Sequence, residues 1–335
     1  MHSYSSPVRV GIAGATGYAG QELVSLAARH PGVDLRLAMS SGPDSKARPM
    51  PRLSHVWKGQ IEPLDVARLG RDLDVVFLAV PEDASAKLGA TLLDAGVRVI
   101  DLSGAFRIRD AAARQRWYPA TPSVPDGSAY GLVEHYRDDV KRASLVACPG
   151  CYPTAALLSL LPLAHAGLLD RAADVVIDAK SGVSGAGRTP SERTHFSENH
   201  GSVAAYGVLG HRHVAEMEQE LGATVTFVPH LVPLDRGILE TIYVKTAPGT
   251  TAERISDALT TAYAREPFVR LTGDALPEIK HVAWTNFCDI GWRFDAATRR
   301  LVIVSCLDNL VKGAAGQALQ NFNVACGFDE RTALL

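Results

Sequence analysis

Apolar and polar positions divide the first half of the chain into alternating strand-length and helix-length segments. Residues 8–13, VRVGIA, are a continuous apolar run of the length of a buried strand, and residues 21–29 follow with helical spacing. Further strand-like runs fall at 35–39, at 74–80 (ending before Pro81) and at 97–102, with a helical pattern over 84–95. Strand and helix in alternation imply an α/β fold with a parallel, doubly wound sheet. A proline-rich irregular stretch, 117–127, precedes a short strand at 145–147 and a helix over 155–161.

The link between the first strand and the first helix reads Gly14-Ala15-Thr16-Gly17-Tyr18-Ala19-Gly20. Glycines there allow a tight turn and bring a pyrophosphate close to a helix N-terminus, where free N–H groups and the helix dipole favour anions. The place makes Gly14, Thr16, Gly17, Tyr18 and Ala19 candidate cofactor contacts. An NAD site usually has a carboxylate at the end of the second strand, for the ribose 2′-hydroxyl. Here that place reads Ser40-Ser41-Gly42, with Lys46 and Arg48 beyond. Hydroxyls and cations suit a 2′-phosphate, so NADP is expected. Asp34 precedes the strand in this reading and caps a turn. No Gly-Lys-Ser/Thr ending marks an NTPase loop, and no tyrosine has the lysine four residues on that short-chain dehydrogenases use.

Candidate chemistry gathers at VACPGCYPT, residues 146–154. A C-x-x-C pair can be a redox dithiol, half a zinc site, or one working cysteine beside a neighbour. No second Cys/His pair completes a zinc site, and the motif closes a dinucleotide domain instead of opening a small βαβ one. A single nucleophile is favoured, with no metal. Pro153 and Thr154 open the following helix, which puts the Cys151 sulfur near a helix N-terminus, a setting that lowers a thiol pKa. Cys148 falls on the strand side as a small buried residue. A thiolate beside a nicotinamide implies one reaction type: an activated acyl group forms a thioester, which hydride reduces to an aldehyde, with a histidine moving protons. In GHRHVAEM, residues 210–217, His213 and Glu216 share a helix face, so the carboxylate can orient the imidazole. His211 is the other candidate.

Composition narrows the class without changing the picture. The 335 residues suit two domains, and 47% hydrophobic with 21% charged residues is ordinary for a soluble protein. A net charge of −2 argues against nucleic acid as a partner. The first ten residues do not read as a signal peptide, and the most apolar stretch, 155–169, is short of the roughly 18 residues of a membrane span. The remaining cysteines, Cys288, Cys306 and Cys326, are scattered and make the total odd, which reads as a reduced cytoplasmic protein.

The chain resembles the N-acetyl-γ-glutamyl-phosphate reductases, of the aspartate-semialdehyde dehydrogenase superfamily. The motifs that carry the resemblance are GATGYAG (14–20), DLSGAFR (101–107), YGLVE (130–134), PGCYPT (149–154), SGVSGAGR (181–188), FSEN (196–199), YGVLGHRH (206–213), RGIL (236–239) and DNLVKGAAGQA (308–318). The resemblance implies NADPH-dependent reduction of an acyl phosphate, N-acetylglutamyl 5-phosphate, to the semialdehyde with release of phosphate, a step of arginine biosynthesis. It makes Cys151 the nucleophile, with the acid/base histidine in the HRH segment; His213 is favoured over His211, with Glu216 behind it. By similarity Arg107 holds the acyl phosphate, and Ser181, Arg188 and Tyr206 are further substrate candidates. Ser103 joins the cofactor set, and Asn309 and Gly313 lie at its nicotinamide end. Two departures stand out: Gly104-Ala105 where the family usually has Ala-Asp, and Cys148 where it usually has asparagine or another residue.

The same resemblance places an NADP-binding Rossmann domain at 1–150, completed by the C-terminal helix 309–335, and a catalytic and oligomerisation domain at 151–308. Strands of a second sheet are expected at 175–180, 224–228, 239–245, 282–290 and 301–305, with a long last helix over 309–325. A homodimer or homotetramer is expected. Rival readings are a relative acting on aspartyl phosphate or a carrier-linked aminoadipyl phosphate, and a non-catalytic NADP-binding regulator on the same fold. The regulator would have no use for Cys151, His213 and Arg107 together.

Overall fold

The structure, a computed structural model, describes residues 6–40 and 46–335. The chain divides into two compact units, Met1–Gly150 with Ala314–Leu335, and Cys151–Gly313.

The first unit runs β1 (Val8–Ala13), α1 (Tyr18–Arg29), β2 (Val33–Ser40), β3 (Arg48–Pro49), β4 (Gln60–Pro63), α2 (Val66–Leu69), β5 (Val75–Leu78), α3 (Glu82–Asp94), β6 (Arg98–Asp101), α4 (Ala111–Trp117), β7 (Ser128–Tyr130), α5 (Val133–Arg142) and β8 (Leu145–Ala147). These strands form one sheet in the order β3-β4-β2-β1-β5-β6-β8-β7. All pairings are parallel except β3 with β4. Both faces are covered, which is why the strands read as continuous apolar runs. Along β5, Val75 and Phe77 enter one core layer while Val76 and Leu78 enter the other. The C-terminal helix, Gly316–Cys326, closes the first layer: the Phe322 ring centre lies 5.7 Å from that of Phe77, and Arg98 donates to the Ala325 carbonyl at 2.7 Å. Removing a ring as buried as Phe322 costs about 3–5 kcal/mol in comparable cores. The strand order reverses at β1, between β2 and β5, and ligands of such sheets bind at that switch point.

The second unit runs α6 (Cys151–His165), β9 (Val175–Gly182), α7 (Phe196–Asn199), β10 (Ala204–Ala205), α8 (His213–Leu221), β11 (Val225–Val232), β12 (Ile238–Lys245), α9 (Ala252–Tyr263), β13 (Val269–Leu271), β14 (Cys288–Asp295) and β15 (Arg300–Leu307). Its sheet is mixed, in the order β10-β11-β9-β12-β15-β14-β13. Along β9, β11 and β12 buried residues alternate with more exposed ones, so one face packs on helices and the other is open. Residues 152–163 of α6 are buried on every side, so this helix forms the core of the unit.

Several boundaries differ from those expected. Helix α1 starts at Tyr18, because Gly17 is its N-cap, and Asp34 lies inside β2 with its carboxylate 2.6 Å from Arg36 Nε. Helix α6 starts at Cys151 itself, with Pro153 already in the first turn, where its missing N–H costs nothing. The strand expected from 282 begins at Cys288: Val282 is buried and reads as strand, but it caps the 3-10 turn Ile279–His281, and a left-handed Trp284 (φ 68°) follows. The last helix is not uniform: Val311–Ala315 is a π turn and α-helix begins at Gly316. The stretch 117–143 holds β7 and α5; α5 buries little besides Val133 and Val140, so its apolar signal is faint.

Candidate active site

In the first unit, the glycine loop turns where β1 ends. Gly14 sits at φ 89°, and a Cβ on it would lie 2.1 Å from the Ala79 carbonyl oxygen, so no other residue fits. A Cβ on Gly20 would come equally close to the Gly14 oxygen, so α1 can press onto the turn. The first turn of α1 has no side-chain cap and no carboxylate, which leaves its N–H end suited to an anion. Thr16 and Ser40 come together at the ends of β1 and β2, their hydroxyl oxygens 3.2 Å apart. Tyr18 and Ala19 begin α1. Ser41 lies outside the described residues.

Ser103 and Arg107 follow β6. The buried Asp101 carboxylate accepts from Ser85 Oγ (2.5 Å), Ser103 N–H (3.0 Å) and Ser103 Oγ (2.8 Å). Burial raises its pKa, and these hydrogen bonds with the Arg107 charge offset only part of that. Arg107 is buried too; it donates Nε to the Cys148 carbonyl (2.7 Å) and Nη2 to the Leu102 carbonyl (2.8 Å), which fixes the plane of its guanidinium. Cys148 is fully buried, and burial drives its thiol far above the usual range, so it is not a nucleophile at neutral pH.

In the second unit, Cys151 is partly exposed at the first position of a 15-residue helix. The Tyr152 hydroxyl meets that of Tyr206 at 3.1 Å, and the Ser181 side chain reaches the same phenol. Burial raises the pKa of both tyrosines, and the nearby Cys151 sulfur adds to the shift in each, so both stay protonated beside it. His211 is enclosed by Tyr152, Tyr206, His213 and Phe227, with ring centres 5.9, 5.7, 4.7 and 5.3 Å away. Burial first, then the Arg212 charge, lower its pKa to about 4, so it is neutral at pH 7. Its Nδ1 accepts the His213 N–H at 3.2 Å, which leaves the neutral ring's proton on Nε2. His213 opens α8, with Glu216 buried in the same turn, and its ring centre lies 6.0 Å from that of Tyr152.

Gly313 presses on the nucleophile candidate: a Cβ on it would lie 2.7 Å from Cys151 Cβ. Asn309 is held apart from this contact, its oxygen accepting the Gly237 N–H (2.7 Å) and its amide donating to Ser184 Oγ (3.0 Å). Arg188 is exposed on the loop after β9. The second unit thus gathers Cys151, Ser181, Tyr206, His211 and Gly313. Tyr152 and Phe227 complete the enclosure and were not singled out beforehand, although Tyr152 lies within PGCYPT.

Residues 9–143 match the semialdehyde dehydrogenase NAD binding domain and residues 151–309 the semialdehyde dehydrogenase dimerisation domain. The chain is 44% identical to the N-acetyl-gamma-glutamyl-phosphate reductase of Shouchella clausii and 42% identical to that of Bacillus subtilis, each over 98% of both chains. Among solved structures it resembles aspartate semialdehyde dehydrogenase II of Vibrio cholerae complexed with ASA (TM-score 0.74, 18% identity, 96% of this chain and 98% of that one). It also resembles the Candida albicans aspartate semialdehyde dehydrogenase with NADP (TM-score 0.67, 15% identity, 95% and 98%). At these identities the structural likeness speaks for the fold.

Proposed function

Because this chain belongs to the N-acetyl-γ-glutamyl-phosphate reductase family, we propose that Cys151 is the nucleophile through which it reduces N-acetyl-L-glutamyl 5-phosphate. The product is N-acetyl-L-glutamate 5-semialdehyde, with release of phosphate, in arginine biosynthesis. One observation carries the residue assignment. Cys151 is the partly exposed first residue of a long buried helix, beside the protonated phenols of Tyr152 and Tyr206, and the Tyr152 ring in turn meets the imidazoles of His211 and His213.

The Cys151 thiolate attacks the acyl carbon; the C–S bond forms and the carbonyl becomes an oxyanion, which donors at the start of α6 stabilise. The oxyanion collapses, the bond to the phosphate oxygen breaks, and phosphate leaves with the electron pair. NADPH, when bound, would supply the hydride that reduces the thioester. His213 moves the proton as the resulting hemithioacetal loses Cys151. His211, neutral in its aromatic enclosure, holds the Tyr152–Tyr206 edge of the site. Ser181, Tyr206 and Arg188 contact substrate, and Arg107 serves the phosphate.

For the cofactor, the uncapped N-terminus of α1 takes the pyrophosphate and the Thr16–Ser40 hydroxyl pair takes the 2′-phosphate, with Ser103, Ala19 and Tyr18 along it. The 1–150 segment with the C-terminal helix acts as the cofactor domain. The remainder is the catalytic domain, and the open face of its sheet, where Tyr243 is 45% exposed, joins copies into a homodimer or homotetramer. No helix among the described residues is long and apolar enough to cross a membrane, and we place the enzyme in the cytoplasm.

A comparison of semialdehydes tests the reading. With NADP and phosphate present, N-acetylglutamate semialdehyde should generate NADPH at least about a hundredfold faster per concentration than aspartate semialdehyde, since a site built around polar substrate groups rejects analogues lacking them. Preference for the aspartate compound would overturn the substrate assignment.

A further inference from the structure

Asp308 is fully buried just beyond β15, and its two oxygens collect four donors from three parts of the chain. Oδ1 accepts the N–H groups of Leu310 (2.8 Å) and Val311 (3.1 Å). Oδ2 accepts the Trp284 N–H (2.6 Å) and Arg236 Nη1 (3.2 Å). Arg236 is only 5% exposed, and its guanidinium carbon lies 3.2 Å from the centre of the Trp284 ring. Trp284 keeps φ at 68°, a costly conformation for a bulky residue, with its N–H spent on this carboxylate.

The Asp308 main chain also shapes the next turn. Its carbonyl accepts the Gly313 N–H at 2.9 Å, five residues on, which is the bond of a π turn. That wide turn carries Gly313 against Cys151, where a Cβ would lie 2.7 Å from the cysteine Cβ and 3.2 Å from its Cα. A group that accepts four donors on two oxygens has to be a carboxylate. An asparagine in its place turns an NH₂ toward the Trp284 N–H and the Arg236 guanidinium, or else toward the two N–H groups that begin the turn.

We propose that Asp308 is a positioning residue for the reaction: by fixing the start of the π turn it sets Gly313, and Gly313 sets the place of the Cys151 thiol. The proposal rests on Cys151 being the nucleophile. A misplacement of the reacting atoms by about 1 Å costs on the order of a hundredfold in rate, so a loosened turn should act on chemistry more than on binding.

The test uses the full-length Asp308→Asn protein, with NADPH binding as the sign that the cofactor end is intact. The rate of Cys151 carboxymethylation by iodoacetamide is followed against pH, beside kcat and KM for N-acetylglutamate semialdehyde. The alkylation profile should shift and kcat should fall about tenfold or more, with KM within about threefold and NADPH affinity unchanged. Alkylation and kcat both within about twofold of the parent would overturn the proposal. If Asp308→Asn does not accumulate folded, the same profile is read on Gly313→Ala, whose methyl meets Cys151 directly; an unchanged profile there overturns it equally. Cys151→Ser separates the premise from the proposal: persisting turnover in that variant removes the nucleophile assignment, whatever Asp308→Asn does.

Discussion

The hydroxyls of Tyr152 and Tyr206 meet 3.1 Å apart, joining residues 54 positions distant in the chain. Both phenols stay protonated beside Cys151, so in the proposed mechanism the pair donates a hydrogen bond to the substrate oxygen as it develops charge. Tyr206→Phe should lower kcat/KM about tenfold, equivalent to about 1.4 kcal/mol, while NADPH affinity stays unchanged. Steady-state kinetics with a fluorescence titration of NADPH check both halves.

His211 offers a pH prediction. Burial holds its pKa near 4, so the folded state binds fewer protons there than the unfolded chain with an ordinary histidine. Its contribution to stability is therefore present above the unfolded value and lost as pH falls from about 6.5 toward 4. The His211 ring proton resonances should stay flat between about pH 5.5 and 9. A titration centred near neutrality would contradict the enclosure.

Glu240 works in the opposite direction. It is fully buried on β12, opposite Ala179 and Ser305, and its two carboxylate oxygens have no hydrogen-bond partner among the described residues. Desolvation raises its pKa well above the ordinary value, so the folded protein keeps a proton that the unfolded chain releases. Stability is therefore lost as pH rises from about 4.5 toward the folded value, by up to about 1.4 kcal/mol per pH unit. Glu240→Leu should raise Tm by a few degrees at pH 8 and by clearly less at pH 5. Equal shifts at both pH values would show that the carboxyl does not titrate across this range.

In the proposed reading, cofactor choice rests on the Thr16–Ser40 hydroxyl pair, whose oxygens lie 3.2 Å apart. Ser40→Asp puts a carboxylate where a 2′-phosphate is proposed to bind and where a 2′-hydroxyl would accept one. KM for NADPH should rise about tenfold or more and that for NADH should fall. An unchanged NADPH preference would move the 2′-phosphate site elsewhere.

Much of the first unit was legible because its signals are local. A buried strand, a glycine turn and a helix follow one another within 8–29, and each has its own pattern. Helix α5 was missed because VEHYRDDVKR is almost wholly polar. The π turn at 311–315 was hidden because a π turn and an α turn share the same side-chain pattern; only the Gly313-to-Asp308 bond tells them apart. In the site, Cys151 could be read from the helix start beside it. The four donors on Asp308 could not, because residues 236, 284, 310 and 311 meet only once the strands pair. The strand expected from 282 failed for a related reason: the apolar Val282 is buried in a turn that the Asp308 carboxylate holds at Trp284.

Covalent capture reports on the Cys151 thioester itself. The protein is mixed with N-acetylglutamyl phosphate without NADPH, quenched in acid, digested and examined by mass spectrometry. Near-stoichiometric acylation of the peptide carrying Cys151 is expected, discharged on adding NADPH and absent from Cys151→Ser. Acylation at another residue, or an adduct that persists in Cys151→Ser, would contradict it.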